Sequence, residues 1–159
     1  MKTYFNTILI AALLAGTANA HDHHHTFATE LEKGEVVKQD KVKADLATPA
    51  GEKDTETFDR KVTRNHDGTF AVVITNEQGT TRMTGRYLDE ELKVADGEFI
   101  YYHKNGTVES KGMYANGMKK GTWERFAEDG TRKAERNYTG MSWEDMAVQL
   151  GMASEAETR

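Results

Sequence analysis

The chain has 159 residues, a formal net charge of −5, 37% hydrophobic and 30% charged residues, and no cysteine. That length fits one modest domain with some polar chain to spare. The acidic balance argues against nucleic acid or an anionic membrane surface as partner, and the lack of cysteine excludes both a disulfide framework and a thiol nucleophile.

The chain opens on a short segment containing Lys2, followed by the apolar run Ile8–Ala15 and the small residues Ala18-Asn19-Ala20. This is the layout of a cleavable export signal. The run is well short of the roughly 20 apolar residues of a membrane span. Cleavage after Ala20 is expected, which assigns residues 1–20 to a signal peptide and leaves an exported, periplasmic or extracellular chain with no transmembrane span. Loss of Lys2 moves the charge from −5 to −6. No cysteine lies beside the bond to take a lipid anchor.

A mature chain starting His21-Asp22-His23 would offer a free amine, two backbone amides and a third-position imidazole, a square-planar nitrogen set suited to Cu(II) or Ni(II). His24 and His25 enrich the set, and zinc could bind it loosely. The candidate metal residues are therefore His21, His23, His24 and His25; the plainer alternative is a solvated polar leader. From Thr26 to Glu56 the chain is rich in Glu, Asp, Lys, Thr and Ala, with Phe27 its one aromatic and Pro49 the sole proline. Leu31, Val36, Val37, Val42 and Leu46 keep no 3.6-residue spacing. Residues 21–56 are accordingly read as a His-tipped, disordered linker, with a marginal helix over Glu30 to Leu46 as the alternative.

From residue 57 to 140 the pattern changes. Phe58–Arg64 reads as a strand ahead of an Asn65-His66-Asp67-Gly68 turn, and three copies of one unit follow, at about 68–96, 97–120 and 121–140. Their landmarks are Gly68, Phe70, Gly79 and Tyr87 in the first; Gly97, Phe99, Tyr102, Gly106, Gly112, Tyr114 and Gly117 in the second; Gly121, Trp123, Phe126, Gly130 and Tyr138 in the third. Most landmarks of the last two units are offset by 24 positions. A period of this length marks stacked units that share a core. Asp67-Gly68, Asp96-Gly97, Asn105-Gly106, Asn116-Gly117 and Asp129-Gly130 are dipeptides that accept positive φ in tight turns, so the units read as antiparallel β-hairpins.

Alternation places Met83, Gly85 and Tyr87 on one strand face and Ser110, Gly112 and Tyr114 on another. Glycine beside tyrosine leaves bare backbone, over which Phe99 and Trp123 recur at the right interval to lie. Phe99 and Tyr102, like Trp123 and Phe126, are three apart, which puts them on opposite faces unless a bulge or bend intervenes. Tyr101 and Tyr102 are the candidate partner contacts, since aromatic residues dominate interaction hot spots.

The last element is a helix at 141–151. Ser142 to Asp145 resembles a capping box, Met141 and Met146 suit a hydrophobic staple, and Trp143, Met146, Ala147 and Leu150 form an apolar stripe. Gly151 supplies a stop, and 152–159 is a tail. The helix is expected to cap the open end of the hairpin array, with docking to a partner as the alternative.

Enzymatic motifs are missing: there is no Gly-x-Ser-x-Gly elbow, His-Glu-x-x-His pair or phosphate-binding loop. His66 and His103 fall at a turn and a strand end. The expectation is a non-enzyme with no catalytic residue and no organic cofactor.

The run Gly97-x-Phe99-x-x-Tyr102-x-x-Asn105-Gly106, continuing through Gly112-x-Tyr114-x-x-Gly117 to Gly121-x-Trp123, resembles the variant MORN repeat (MORN_2 type) of YwqK-like antitoxin proteins. The resemblance covers about half of the mature chain; Arg136 stands where glycine is usual. It implies rows of β-hairpins serving as interaction surfaces. The whole reads as an all-β protein of tandem antiparallel hairpins in an elongated sheet with a C-terminal capping helix. Its expected function is an exported scaffold or interaction module for an unidentified protein partner, with self-association through sheet edges open to it. The alternatives are a periplasmic metal-binding protein using the His cluster and an immunity-type protein that neutralises a toxin.

Overall fold

A computed structural model describes residues 34–150. The fold is all-β: β1 (Glu35–Lys43), β2 (Thr57–Arg64), β3 (Phe70–Thr75), β4 (Thr81–Tyr87), β5 (Gly97–Tyr102), β6 (Val108–Ala115), β7 (Met118–Phe126), β8 (Arg132–Thr139) and one short helix, α1 (Trp143–Gln149). The eight strands form a single open antiparallel sheet in the order of the sequence, each paired with its chain neighbours.

Four connections share one turn. In Asn65–Thr69, Asn76–Thr80, His103–Thr107 and Ala127–Thr131, the first residue's N–H donates to the fifth residue's carbonyl and the fourth residue's N–H donates to the first residue's carbonyl. The fourth place is always glycine because φ there is near +80°, for instance 84° at Gly106, a conformation that costs residues with a Cβ more than it costs glycine. Asp67, Asn105 and Asp129, one place earlier, accept the backbone N–H of the following threonine. The β6–β7 connection is a two-residue Asn116-Gly117 turn with both residues at positive φ. Asp96-Gly97 forms no such turn; β4 and β5 are joined by a longer loop, and Gly97 opens β5.

The register sorts side chains onto two faces. One carries Val42, Phe58, Arg60, Val62, Phe70, Val72, Ile74, Met83, Phe99, Tyr101, Tyr114, Trp123 and Tyr138, and its apolar members form the core. The opposite face buries less, chiefly Thr63, Ala71 and Ile100. Two loops fold onto the core face from opposite ends of the strands: Leu46 from the β1–β2 connection and Leu92 from β4–β5, each at φ 59° and each packed against the core. Matching carboxylates tie these loops down. Asp45 accepts from the Thr48 hydroxyl and the Ala47 and Thr48 amides, and Asp89 accepts from the Lys93 and Val94 amides.

The expected linker over 21–56 is corrected from residue 35 onward. Glu35–Lys43 is the first strand of the sheet, and Val42 is fully buried against Phe58. The polar residue Asp40 lies on the core face because Arg60, directly opposite on β2, holds it: Arg60 Nε donates to Asp40 Oδ1 at 2.8 Å and Nη1 donates to the Ala47 carbonyl. At the other end, α1 carries the expected capping box, with the Asp145 N–H donating to Ser142 Oγ and the Ser142 N–H to Asp145 Oδ2. Its Ala147 is buried while Leu150 is exposed. The expected signal peptide at 1–20, the His leader and the 152–159 tail lie outside the described residues.

Candidate interaction surface

The second half of the core face is built from rings laid on glycines. A methyl group on Gly112 would stand 2.5 Å from the Trp123 ring, and one on Gly85 would overlap the Phe99 ring. Both rings therefore lie flat over bare backbone of the preceding hairpin, as the Gly-x-Tyr spacing predicts. Each is flanked by two tyrosines, edge-on in every pair but the tilted Phe99–Tyr114. Phe99 meets Tyr87 at 5.4 Å and Tyr114 at 4.6 Å between centroids, and Trp123 meets Tyr114 at 5.3 Å and Tyr138 at 6.1 Å. Tyr101 spans the two seats, 6.5 Å from Phe99 and 6.2 Å from Trp123. Such offset and edge-on pairs each add about 0.5–1.5 kcal/mol beyond burial.

The result is a ladder whose seated rings are buried and whose four tyrosines, Tyr87, Tyr101, Tyr114 and Tyr138, are half-buried along its outer side. Burial pushes the Tyr101 phenol well above its ordinary value, with the Tyr114 hydroxyl adding to the effect; burial does the same to Tyr87. The Tyr87 and Tyr101 hydroxyls stay neutral across the physiological range, as hydrogen-bonding tips on apolar rings.

The two tyrosines singled out in the sequence part company. Tyr101 joins the ladder, whereas Tyr102 falls on the opposite face by plain alternation, so no bulge in β5 brings Phe99 and Tyr102 together; the register shift beside them lies in β6, between Val108 and Ser110. Trp123 and Phe126 likewise lie on opposite faces, and the register shift beside them lies in β8, between Lys133 and Arg136. Sequence reasoning did not place cations beside the ladder. Lys119 places its ammonium 4.1 Å from the Trp123 centroid and 5.4 Å from that of Tyr138. Its pairing with Tyr114 puts it on the ladder face, as pairing with Trp123 puts Arg136 there. A basic residue a few positions before a seated ring was the available signal.

Away from this face the chemistry is structural. His103 Nε2 donates to the Phe126 carbonyl at 3.1 Å, and Asn105 and Thr107 both donate to the Glu128 carbonyl, so one turn clasps the next. On the opposite face of β1–β3, a groove of about 540 Å³ is lined by Gln39, Lys41, Asp59, Lys61, Val73 and Thr75 and crossed by the Lys41–Asp59 ion pair. His66 is exposed at its turn. Among the described residues no group of three or more His, Cys, Asp or Glu side chains could hold a metal, and the four leader histidines lie outside them. No described helix is long and apolar enough to cross a membrane. No family model, curated protein or solved structure matches the chain.

Proposed function

We propose that this chain is a non-enzymatic protein-interaction module that engages its partner through the tyrosine side of the ring ladder. One observation carries the reading: four half-buried tyrosines stand in a row on a face whose buried rings hold them in place. Tyrosine offers large contact area at low conformational cost, with a polar tip for specificity, and rigid aromatic anchors supply most of the energy of typical interfaces. In family terms we infer a variant MORN-repeat protein, a reading supported by the ring-on-glycine stacking at Gly85 and Gly112. The module acts outside the cytoplasm if the leader at 1–20 is cleaved.

The test compares partner capture by the full chain, a Tyr101→Ala/Tyr138→Ala variant and a Lys61→Ala variant on the far face, with thermal melts to confirm folding. A specific partner should be retained by the native chain and the Lys61 variant and lost by the tyrosine variant. Equal capture by all three would remove the ladder from the interaction.

A second reading rests on the His21-Asp22-His23-His24-His25 run, which would make the leader a Cu(II) or Ni(II) site if cleavage exposes His21. Copper titration of the mature protein, alongside a form extended by one N-terminal residue, decides it. Extension should abolish the square-planar visible band, and an unchanged titration would remove that geometry.

A further inference from the structure

The ladder stops at β8, and the way it stops points to a partner. In the two preceding units the residue two before the tyrosine is the glycine seat, Gly85 before Tyr87 and Gly112 before Tyr114. In the last unit that place, two before Tyr138, is Arg136, which is exposed and paired across the strands with Trp123. An arginine there fills the space that a further ring would need. Neither another hairpin of this kind nor the aromatic strand of a second copy can dock by the same packing.

The last strand pair is also one-sided in charge. The register places Lys119, Arg125, Lys133 and Arg136 on the ladder face, and no carboxylate of β7 or β8 shares that face. The acids of this strand pair, Glu124 and Glu135, sit on the opposite face, where Arg132 bridges both and Lys111 pairs with Glu124. None of the four ladder-face cations pairs with a carboxylate among the described residues. Across β8, seven of eight residues are exposed, Tyr138 being the exception, and β7 is its sole strand partner among the described residues. An edge of this kind can accept one more strand through backbone hydrogen bonds.

Resting on the interaction reading above, we propose that the β8 edge receives an extended, acidic segment of the partner protein, adding it as a ninth strand. Its carboxylates would lie on the ladder face toward Lys133, Arg136 and Arg125, and its alternate residues would lie on the opposite face. Charge complementarity selects the acidic chain, and the unpaired edge selects an extended one. The patch is only one strand pair wide on a chain of net charge −5, which favours a narrow peptide over a nucleic-acid duplex or a lipid surface.

The test titrates the full chain with a fluorescent peptide of alternating Glu and Val, following anisotropy and backbone amide shifts. Saturable binding is expected, with the largest shifts in Arg132–Thr139. Reversal of charge in Lys133→Glu/Arg136→Glu should weaken binding at least tenfold without altering the thermal melt, because both side chains are exposed. A peptide with Lys in place of Glu should not bind. The proposal is overturned if β8 amides do not respond, if the double reversal leaves affinity unchanged, or if a DNA oligonucleotide or phosphatidylglycerol vesicle binds and the peptide does not. Partner capture that is lost on Tyr101→Ala/Tyr138→Ala yet unaffected by the charge reversal would overturn this proposal and leave the ladder reading standing.

Discussion

The first four strands and the last four obey the same strand-and-turn grammar but fill their core face in different ways. In β1–β4 the face is mainly aliphatic, with Val42, Val62, Val72 and Ile74 almost fully buried beside Phe58 and Phe70. Branched side chains stand upright on a sheet and need something laid over them. Leu46 and Leu92 pack against the core from the long connections, even at positive φ, where a leucine is strained by about 1 kcal/mol. In β5–β8 the rings lie down on glycine and cover themselves with neighbouring tyrosines. The connections there, such as Asn116-Gly117, are too short to reach across the sheet. Loop leucines thus help to cover the core, while the aromatic half leaves its row of tyrosines half-buried.

The largest effect expected from breaking this arrangement is at the ladder's hub. Trp123 is 2% exposed, touches three tyrosines and donates from Nε1 to the Met113 carbonyl. Trp123→Ala should cost about 3–5 kcal/mol, a large share of a domain's total stability. Urea unfolding followed by circular dichroism would show it as a lowered midpoint. A loss below about 1 kcal/mol would mean that the rings do not act as one core.

The aliphatic half has its own weak point in the Asp40–Arg60 pair. Arg60 is 7% exposed and Asp40 25%, so Asp40→Ala strands a buried guanidinium. The cost should be roughly 2–3 kcal/mol, below that of a wholly buried pair because Asp40 keeps some water. The Arg60 hydrogen bonds hold the Asp40 carboxyl below its ordinary value of 3.8. A depressed folded-state pKa means that the stabilisation is fully present above the unfolded value and is lost as pH falls through the folded one. The gap in stability between native chain and Asp40→Ala should hold steady near neutrality and shrink below about pH 4. Asp45, which the Thr48 hydroxyl and nearby amides lower to about 2, titrates in the same direction in both proteins, so the difference isolates Asp40. A gap independent of pH would refute the assignment.

The glycine seats should come third. Replacing glycine by alanine within a strand ordinarily gains about 0.5–1 kcal/mol, but at Gly112 the new methyl would press on the buried Trp123 ring. Overpacking of this kind costs about 1–3 kcal/mol, so the clash wins. Gly112→Ala and Gly85→Ala should each lower the urea midpoint, whereas a rise would show that the rings can slide.

The ladder was the part of the molecule most legible in the sequence, because its signals are local. Glycine and tyrosine two apart, an aromatic at fixed offset and Asp-Gly or Asn-Gly turns each carry their meaning within a few residues. β1 was not legible in that way. Its core-face residues include Asp40, and a carboxylate makes sense there only once Arg60, twenty positions later, is known to lie opposite. A test for helical period fails on the segment, yet Asp40 and Val42 already alternate with Gln39 and Lys41, which a period of two would have caught. The cationic edge was hidden differently. Lys119, Arg125, Lys133 and Arg136 are interspersed with acids along the chain, and only the shifted register of β7 and β8 parts the two charges onto separate faces.

That separation predicts the smallest effect. Arg132 bridges Glu124 at 3.0 Å and also reaches Glu135, but its side chain is 58% exposed. Water and salt screen such pairs, and holding a long side chain in place costs entropy, so Arg132→Ala should change stability by no more than about 0.5 kcal/mol. It has the same charge type as the Asp40–Arg60 pair and two partners, yet the predicted cost is several times lower, because Glu124 and Glu135, left behind when Arg132 goes, are still reached by water. Urea midpoints for Arg132→Ala and Asp40→Ala, measured under one set of conditions, test whether burial governs these pairs rather than the number of bridges. Equal losses would contradict it, and would imply that the Arg132 cluster clamps β8 in register beside the charged face.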